Sequence, residues 1–190
     1  VVGAPGLVGI TQYMGALGRK DIAKKFSLPI ERPIALIIYH PVVQEAVNSE
    51  DQIRTIIEAA SRKGYSQIIL RPNSDAGGKA IDRYLNSIAS REDIRVLTHL
   101  PRNVYCSILG GVDILIGNSS SGIIESGTFG TPFVNVGTRQ NRRQRNPTNT
   151  VDCSVVTIDG LCDAISKAQS LERVSKNVYG DGTADTKLLT

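Results

Sequence analysis

Six short apolar runs recur along this chain, and most are separated by segments with a helical period. The runs are PIALIIY, QIILRP, IRVLTHL, VDILIG, PFVNVG and SVVTI. They are rich in β-branched residues and continuous rather than alternating, the pattern of strands covered on both faces. Between them, SEDQIRTIIEAASRKG opens at Ser49, has Gln52 at the capping-box position and stops at Gly64. AGGKAIDRYLNSIAS, PRNVYCSILGG and SGIIESG follow, and GLCDAISKAQS comes after the last run. Only the stretch between PFVNVG and SVVTI lacks a helical pattern. Strand alternating with helix predicts βαβ units: an α/β, Rossmann-like parallel sheet with right-handed crossovers and helices on both faces. Residues 1–30 read as an irregular opening segment containing one short helix, GRKDIAKKF. No internal repeat is present.

At 190 residues with 41% hydrophobic content, the chain suits one packed domain. The longest apolar run, IALIIY at 34–39, is far short of the roughly 20 residues needed to cross a bilayer. With no basic start and no apolar signal core, a cytoplasmic location is expected, and the Asn118-Ser119-Ser120 sequon is not expected to be glycosylated. Cys106, Cys153 and Cys162 form no C-x-x-C pair and read as reduced, buried thiols, with no metal site. The net charge of +4 is local: Arg139, Arg142, Arg143 and Arg145 equal the whole surplus of 22 basic over 18 acidic residues.

In a parallel sheet the connections leaving the strand C-termini share one rim, where ligands bind. The chemically distinctive residues fall at those exits. His40 follows the first strand, Asn73 and Asp75 the second, His99 ends the third, Ser119–Ser121 follow the fourth, and Arg139 follows the fifth. GNSSSG opens a helix, so backbone N–H groups, hydroxyls and Gly122 could together cradle a phosphate or diphosphate; the alternative is that Ser121 only caps the helix. Glu125, read as lying in the first turn of that helix, is either an acid favoured by the dipole or an acceptor for a ribose diol. Arg139 can clamp a phosphate, while its neighbours read as a solvated charge run. Nucleic acid is disfavoured, because aromatics are only 5% of the chain and no stacking motif is present. His40 is either a scaffold residue or a substrate contact, and Asn73 reads first as part of a turn and second as a sugar contact.

Four segments, IIYHPV, LRPNSDAGG, IGNSSSGIIESGTFGTPFVNVGTRQ and the late YGDG, resemble the hydrolysing UDP-N-acetylglucosamine 2-epimerases. The resemblance runs from VVGAPGL to YGDG, and His40-Pro41 stands where the non-hydrolysing branch has a His-Arg pair. It implies one half of a GT-B (two-Rossmann) architecture, with residues 1–190 as the C-terminal, UDP-binding domain and 176–190 as a shortened C-terminal segment. It also implies that Ser119 and Ser120 hold the diphosphate of UDP or UDP-N-acetylglucosamine, with Arg139 neutralising it. Glu125 would bind the ribose, His99 would lie beside the uracil, and His40 would be the catalytic histidine. The implied reaction eliminates UDP and then adds water, giving N-acetylmannosamine for sialic acid or related surface sugars, with no metal or cofactor.

The resemblance places the general acid and base carboxylates in an N-terminal domain that this sequence does not contain. The chain alone is therefore expected to bind UDP without turning substrate over, and the full-length form to be a homo-oligomer. The sugar could equally be a diacetamido relative. The donor-binding half of a GT-B glycosyltransferase and a non-catalytic nucleotide-binding module remain the rival readings.

Overall fold

A computed structural model of the protein describes residues 3–42, 48–72 and 78–188. Six parallel strands form one sheet: β1 (Ile34–Ile38), β2 (Ser66–Leu70), β3 (Ile94–Leu97), β4 (Ile114–Gly117), β5 (Phe133–Val136) and β6 (Thr150–Cys153). Their spatial order is β3-β2-β1-β4-β5-β6. The helices are α1 (Arg19–Lys25), α2 (Ser49–Arg62), α3 (Gly78–Ile88), α4 (Arg102–Gly111), α5 (Ser120–Phe129), α6 (Ile158–Gln169) and a short α7 (Ala184–Leu188). Two 3-10 turns, Pro5–Leu7 and Ile10–Tyr13, organise the opening segment ahead of α1. None of the described helices is long and apolar enough to cross a membrane.

The unbroken apolar character of the strands follows from two cores, one on each face of the sheet. In β1, Ala35 and Ile37 face the core built with α2, α3 and α6, where Ile53, Ile57, Ile81, Leu85 and Ile165 pack. Ile34, Leu36 and Ile38 face the other core, with Ile22 of α1, Ile108 of α4, Ile123 of α5 and Leu7 of the opening segment. All five β1 residues are buried. Burying each aliphatic side chain is worth about 1.5–3 kcal/mol, so the central strand needs apolar residues at every position and not at alternate ones.

Two local expectations change. The sixth strand is TVDC, and SVVTI lies beyond it: β6 pairs only with β5, matching Val134 with Val151, and Val155 is left 66% exposed. The polar Thr150 and Asp152 leave TVDC with little apolar signal, and the run after it misleads. Gln52 makes no capping box, because α2 has Asn48 at its N-cap with no side-chain cap bond, and Gln52 instead accepts from the Tyr39 hydroxyl. The stop at Gly64 holds. Its φ of +79 and the bonds Gly64 N–H to Ser61 O (2.9 Å) and Tyr65 N–H to Ala60 O (3.1 Å) form a Schellman turn.

Candidate functional site

Strand order decides where the site forms. Successive strands are added in opposite directions across the sheet from β1 and from β4, which pair directly and in parallel, so the connections leaving them diverge and open a crevice at their C-terminal ends. The β1 exit carries His40 and the β4 exit carries the triple serine. Gly117 makes this close pairing possible. Its φ is +143, and a Cβ there would stand 2.0 Å from the Ile38 carbonyl oxygen.

Asn118 ties the rim together. Its N–H donates to the Ile38 carbonyl (3.1 Å), its Nδ2 donates to the His40 carbonyl (2.8 Å), and its Oδ1 accepts from the His40 N–H (2.7 Å). The Asn118 carbonyl accepts from Arg139 Nη1 (2.9 Å) and from Gln140 Nε2 (2.8 Å). One buried residue therefore joins the exits of β1, β4 and β5. The sequence carried no sign of this beyond the polar residue that ends an apolar run.

The serines divide their work. Ser119 is the N-cap of α5, its hydroxyl accepting from the Ser121 N–H (3.3 Å) and sharing a 2.9 Å hydrogen bond with the Ser121 hydroxyl. The helix thus begins at Ser120, and Ser119 rather than Ser121 is its cap. Gly122 is spoken for: its N–H donates to the Ser119 carbonyl (3.1 Å), and a Cβ would lie 2.5 Å from the Phe133 ring. The missing side chain serves packing of α5 on β5. Because α5 starts early, Glu125 lies in its second turn, past the strongest reach of the dipole. Only 8% exposed, it pairs through Oε2 with Arg102 Nη1 at 2.8 Å, and Arg102 Nη2 also donates to the Gly6 carbonyl at 2.7 Å. Burial pushes the Glu125 carboxyl above its usual range, and the Arg102 guanidinium pulls it back only in part.

His40, His99 and Ser121 line one cleft of about 220 Å3, together with Arg71 and Tyr105. Arg71, to which the sequence reading gave no role, is held by Asp82 at 2.8 Å. Tyr105 of α4 is buried, and burial pushes its phenol well above the usual range, so it remains a hydrogen-bond donor at ordinary pH. Neither Arg139 nor Glu125 lines this cleft: Arg139 is exposed beside it, joined through Asn118, and Glu125 sits one turn further along α5. Asn73 and Asp75 lie outside the described residues. Arg142 and Arg143 are exposed, as a solvated run would be, but Arg145 pairs with Asp152 at 2.9 Å. A larger hollow of about 560 Å3, lined by Gly3, Thr11, Asn177 and Asp181 among others, contains neither histidine.

A six-stranded parallel Rossmann-like sheet with helices on both faces is one half of an architecture of the GT-B kind. The chain belongs to the UDP-N-acetylglucosamine 2-epimerase family, whose family model matches residues 1–190. It is 38% identical over 182 residues to the UDP-N,N'-diacetylbacillosamine 2-epimerase (hydrolyzing) of Legionella pneumophila, covering 95% of this chain and 48% of that protein. A GDP/UDP-N,N'-diacetylbacillosamine 2-epimerase (hydrolyzing) from Campylobacter jejuni is 31% identical over 86% of this chain and 42% of its own length. The chain thus spans about half the length of the curated relatives it matches. Among solved structures, the Methanocaldococcus jannaschii UDP-GlcNAc 2-epimerase in complex with UDP-GlcNAc and UDP superposes on the whole chain. The TM-score is 0.72 at 12% identity, over 53% of that structure.

Proposed function

We propose that this chain is the UDP-binding, C-terminal half of a hydrolysing UDP-2-acetamido-sugar 2-epimerase, converting UDP-N-acetylglucosamine and water to N-acetylmannosamine and UDP. The observation that carries this reading is the junction at Asn118, which brings His40, the serine-capped start of α5 and Arg139 to one rim. Elimination of UDP builds negative charge on the departing diphosphate, so donors and a cation already in place there lower the barrier. Ser119 and Ser120 hold the diphosphate, the Ser119 hydroxyl exchanging its bond to Ser121 for one to phosphate. Arg139 neutralises it, with guanidinium nitrogens to spare after Nη1 bonds Asn118. Glu125 accepts from the ribose diol through Oε1, since Arg102 takes Oε2. His99 lies beside the uracil, Asn73 contacts the sugar, and His40 acts at the diphosphate–sugar junction.

The cleft's 220 Å3 is below the roughly 300–1,000 Å3 usual for small-molecule sites, as fits a site completed by a second domain. That domain supplies the general acid and base carboxylates and most of the sugar specificity. The whole enzyme is a cytoplasmic homo-oligomer that uses no metal and serves sialic acid or related surface-sugar synthesis. A diacetamido sugar nucleotide is the second reading of the substrate, favoured by the names of the two relatives above 30% identity.

The test is to incubate the full-length protein with each UDP-sugar in the absence of any acceptor. Free UDP and a free 2-epimerised sugar are expected from one of them. UDP release only after an acceptor sugar is added would instead make the protein a glycosyltransferase. No turnover, with steeply salt-dependent binding that does not distinguish UDP from polyphosphate, would reduce it to a generic anion-binding module.

A further inference from the structure

Asn118 holds its two neighbours through different parts of itself. Its side chain alone reaches His40, in a reciprocal pair of bonds to that residue's N–H (2.7 Å) and carbonyl (2.8 Å). Its main-chain carbonyl alone reaches the arginine loop, accepting from Arg139 (2.9 Å) and Gln140 (2.8 Å). The reciprocal pair demands an amide, since one end must donate and the other accept, and a carboxylate would face the His40 carbonyl with a second acceptor. His40 is followed by Pro41, which has no N–H to give to this junction. Asn118 is only 1% exposed, and its own N–H is committed to Ile38, so the amide cannot shift without breaking the β1–β4 junction.

We propose that Asn118 is a positioning residue whose side chain sets the backbone of His40 for the chemical step, while its carbonyl independently seats Arg139 for diphosphate binding. This rests on His40 acting in catalysis. The two effects are separable, because a side-chain substitution removes the first and leaves the second in place. A residue needed only for folding would not distinguish them.

The experiment is a double-mutant cycle in the full-length enzyme, reading kcat, UDP affinity by calorimetry and melting temperature. Asn118→Ala is expected to lower kcat on the order of 10- to 100-fold, the effect of misplacing a reacting group by about 1 Å. UDP affinity should stay within about 2-fold, the ordinary error of additivity between uncoupled groups. Adding Asn118→Ala to His40→Ala should lower kcat no further, since both act through the same imidazole. If Asn118→Ala does not fold, Asn118→Asp takes its place in the cycle, keeping the acceptor for the His40 N–H and losing the donor to its carbonyl. Unchanged kcat in the substituted enzyme, multiplicative losses in the double mutant, or UDP binding that weakens as much as kcat falls would each overturn the proposal. Full activity in His40→Ala would remove the catalytic reading of His40 itself, a failure distinct from that of Asn118.

Discussion

The two loops that meet at Asn118 are held by opposite means. The turn between β4 and α5 is built from its own residues: Gly117 takes the positive φ, Ser119 caps the helix, and Ser121 bonds back to Ser119. The connection between β5 and β6 has neither helix nor strand across residues 137–149, and distant residues fix it. Asn146 donates to the Ile123 carbonyl (3.0 Å) and accepts from the Val178 N–H (2.7 Å). Asn149 donates to the Thr131 carbonyl (2.6 Å) and the Ser126 hydroxyl (2.8 Å), and the Tyr179 hydroxyl donates to the Gln144 carbonyl (2.8 Å). The serine start of α5 is thus set locally, whereas the arginine loop beside it is set by the back of α5 and the C-terminal segment. Damage far from the rim should therefore reach the arginine and spare the serines.

Three substitutions test that contrast. The largest effect is expected from Asn146→Ala, which removes a fully buried side chain together with its bonds to the Ile123 carbonyl and the Val178 N–H. The two lost bonds and the space left by the buried side chain together cost about 2–4 kcal/mol, which should appear in the urea midpoint, with weaker UDP binding as the arginine loop loosens. An unaltered midpoint would mean that the connection does not depend on this anchor. Arg139→Ala comes next, reducing UDP affinity by about 1.5–3 kcal/mol in calorimetry while leaving the fold intact. Equal affinity would take Arg139 out of the site. Ser119→Ala should cost least in stability, about 1 kcal/mol for a lost N-cap, read from the same urea titration. A loss as large as that of Asn146→Ala would show that the turn is not locally set after all.

Much of the framework could be read in advance because burial leaves a direct imprint on residue type. β1, β3, β4 and β5 fall inside the expected runs, and β2 begins one residue ahead of its run, at Ser66. β6 falls outside its expected run, since its residues TVDC include the polar Thr150 and Asp152 and only Cys153 is buried, so no apolar run marks it. Helix starts were harder. The cap of α5 depends on which of three adjacent serines turns its side chain inward, and α2 starts with no side-chain cap bond at all; composition encodes neither. Glu125 shows the consequence, because a start two residues early moves it past the dipole's strongest reach, and it pairs in a buried place with Arg102, twenty-three positions away. Asn146, Asn149 and Tyr105 gave no forewarning, since an asparagine in a polar loop or a tyrosine in a helix looks the same whether or not it is buried.

The alternation of fully apolar strands with helices was enough to require a parallel sheet and so to place both histidines, the serines and Arg139 near one rim. Which of those residues became neighbours was a matter of strand order. Hydrophobic period records that a strand is covered and says nothing of which strand lies beside it, because backbone pairing is nearly indifferent to side chain. Only the packing of helices over two faces at once selects the order β3-β2-β1-β4-β5-β6. That order sets β1 against β4, and with it His40 against Asn118.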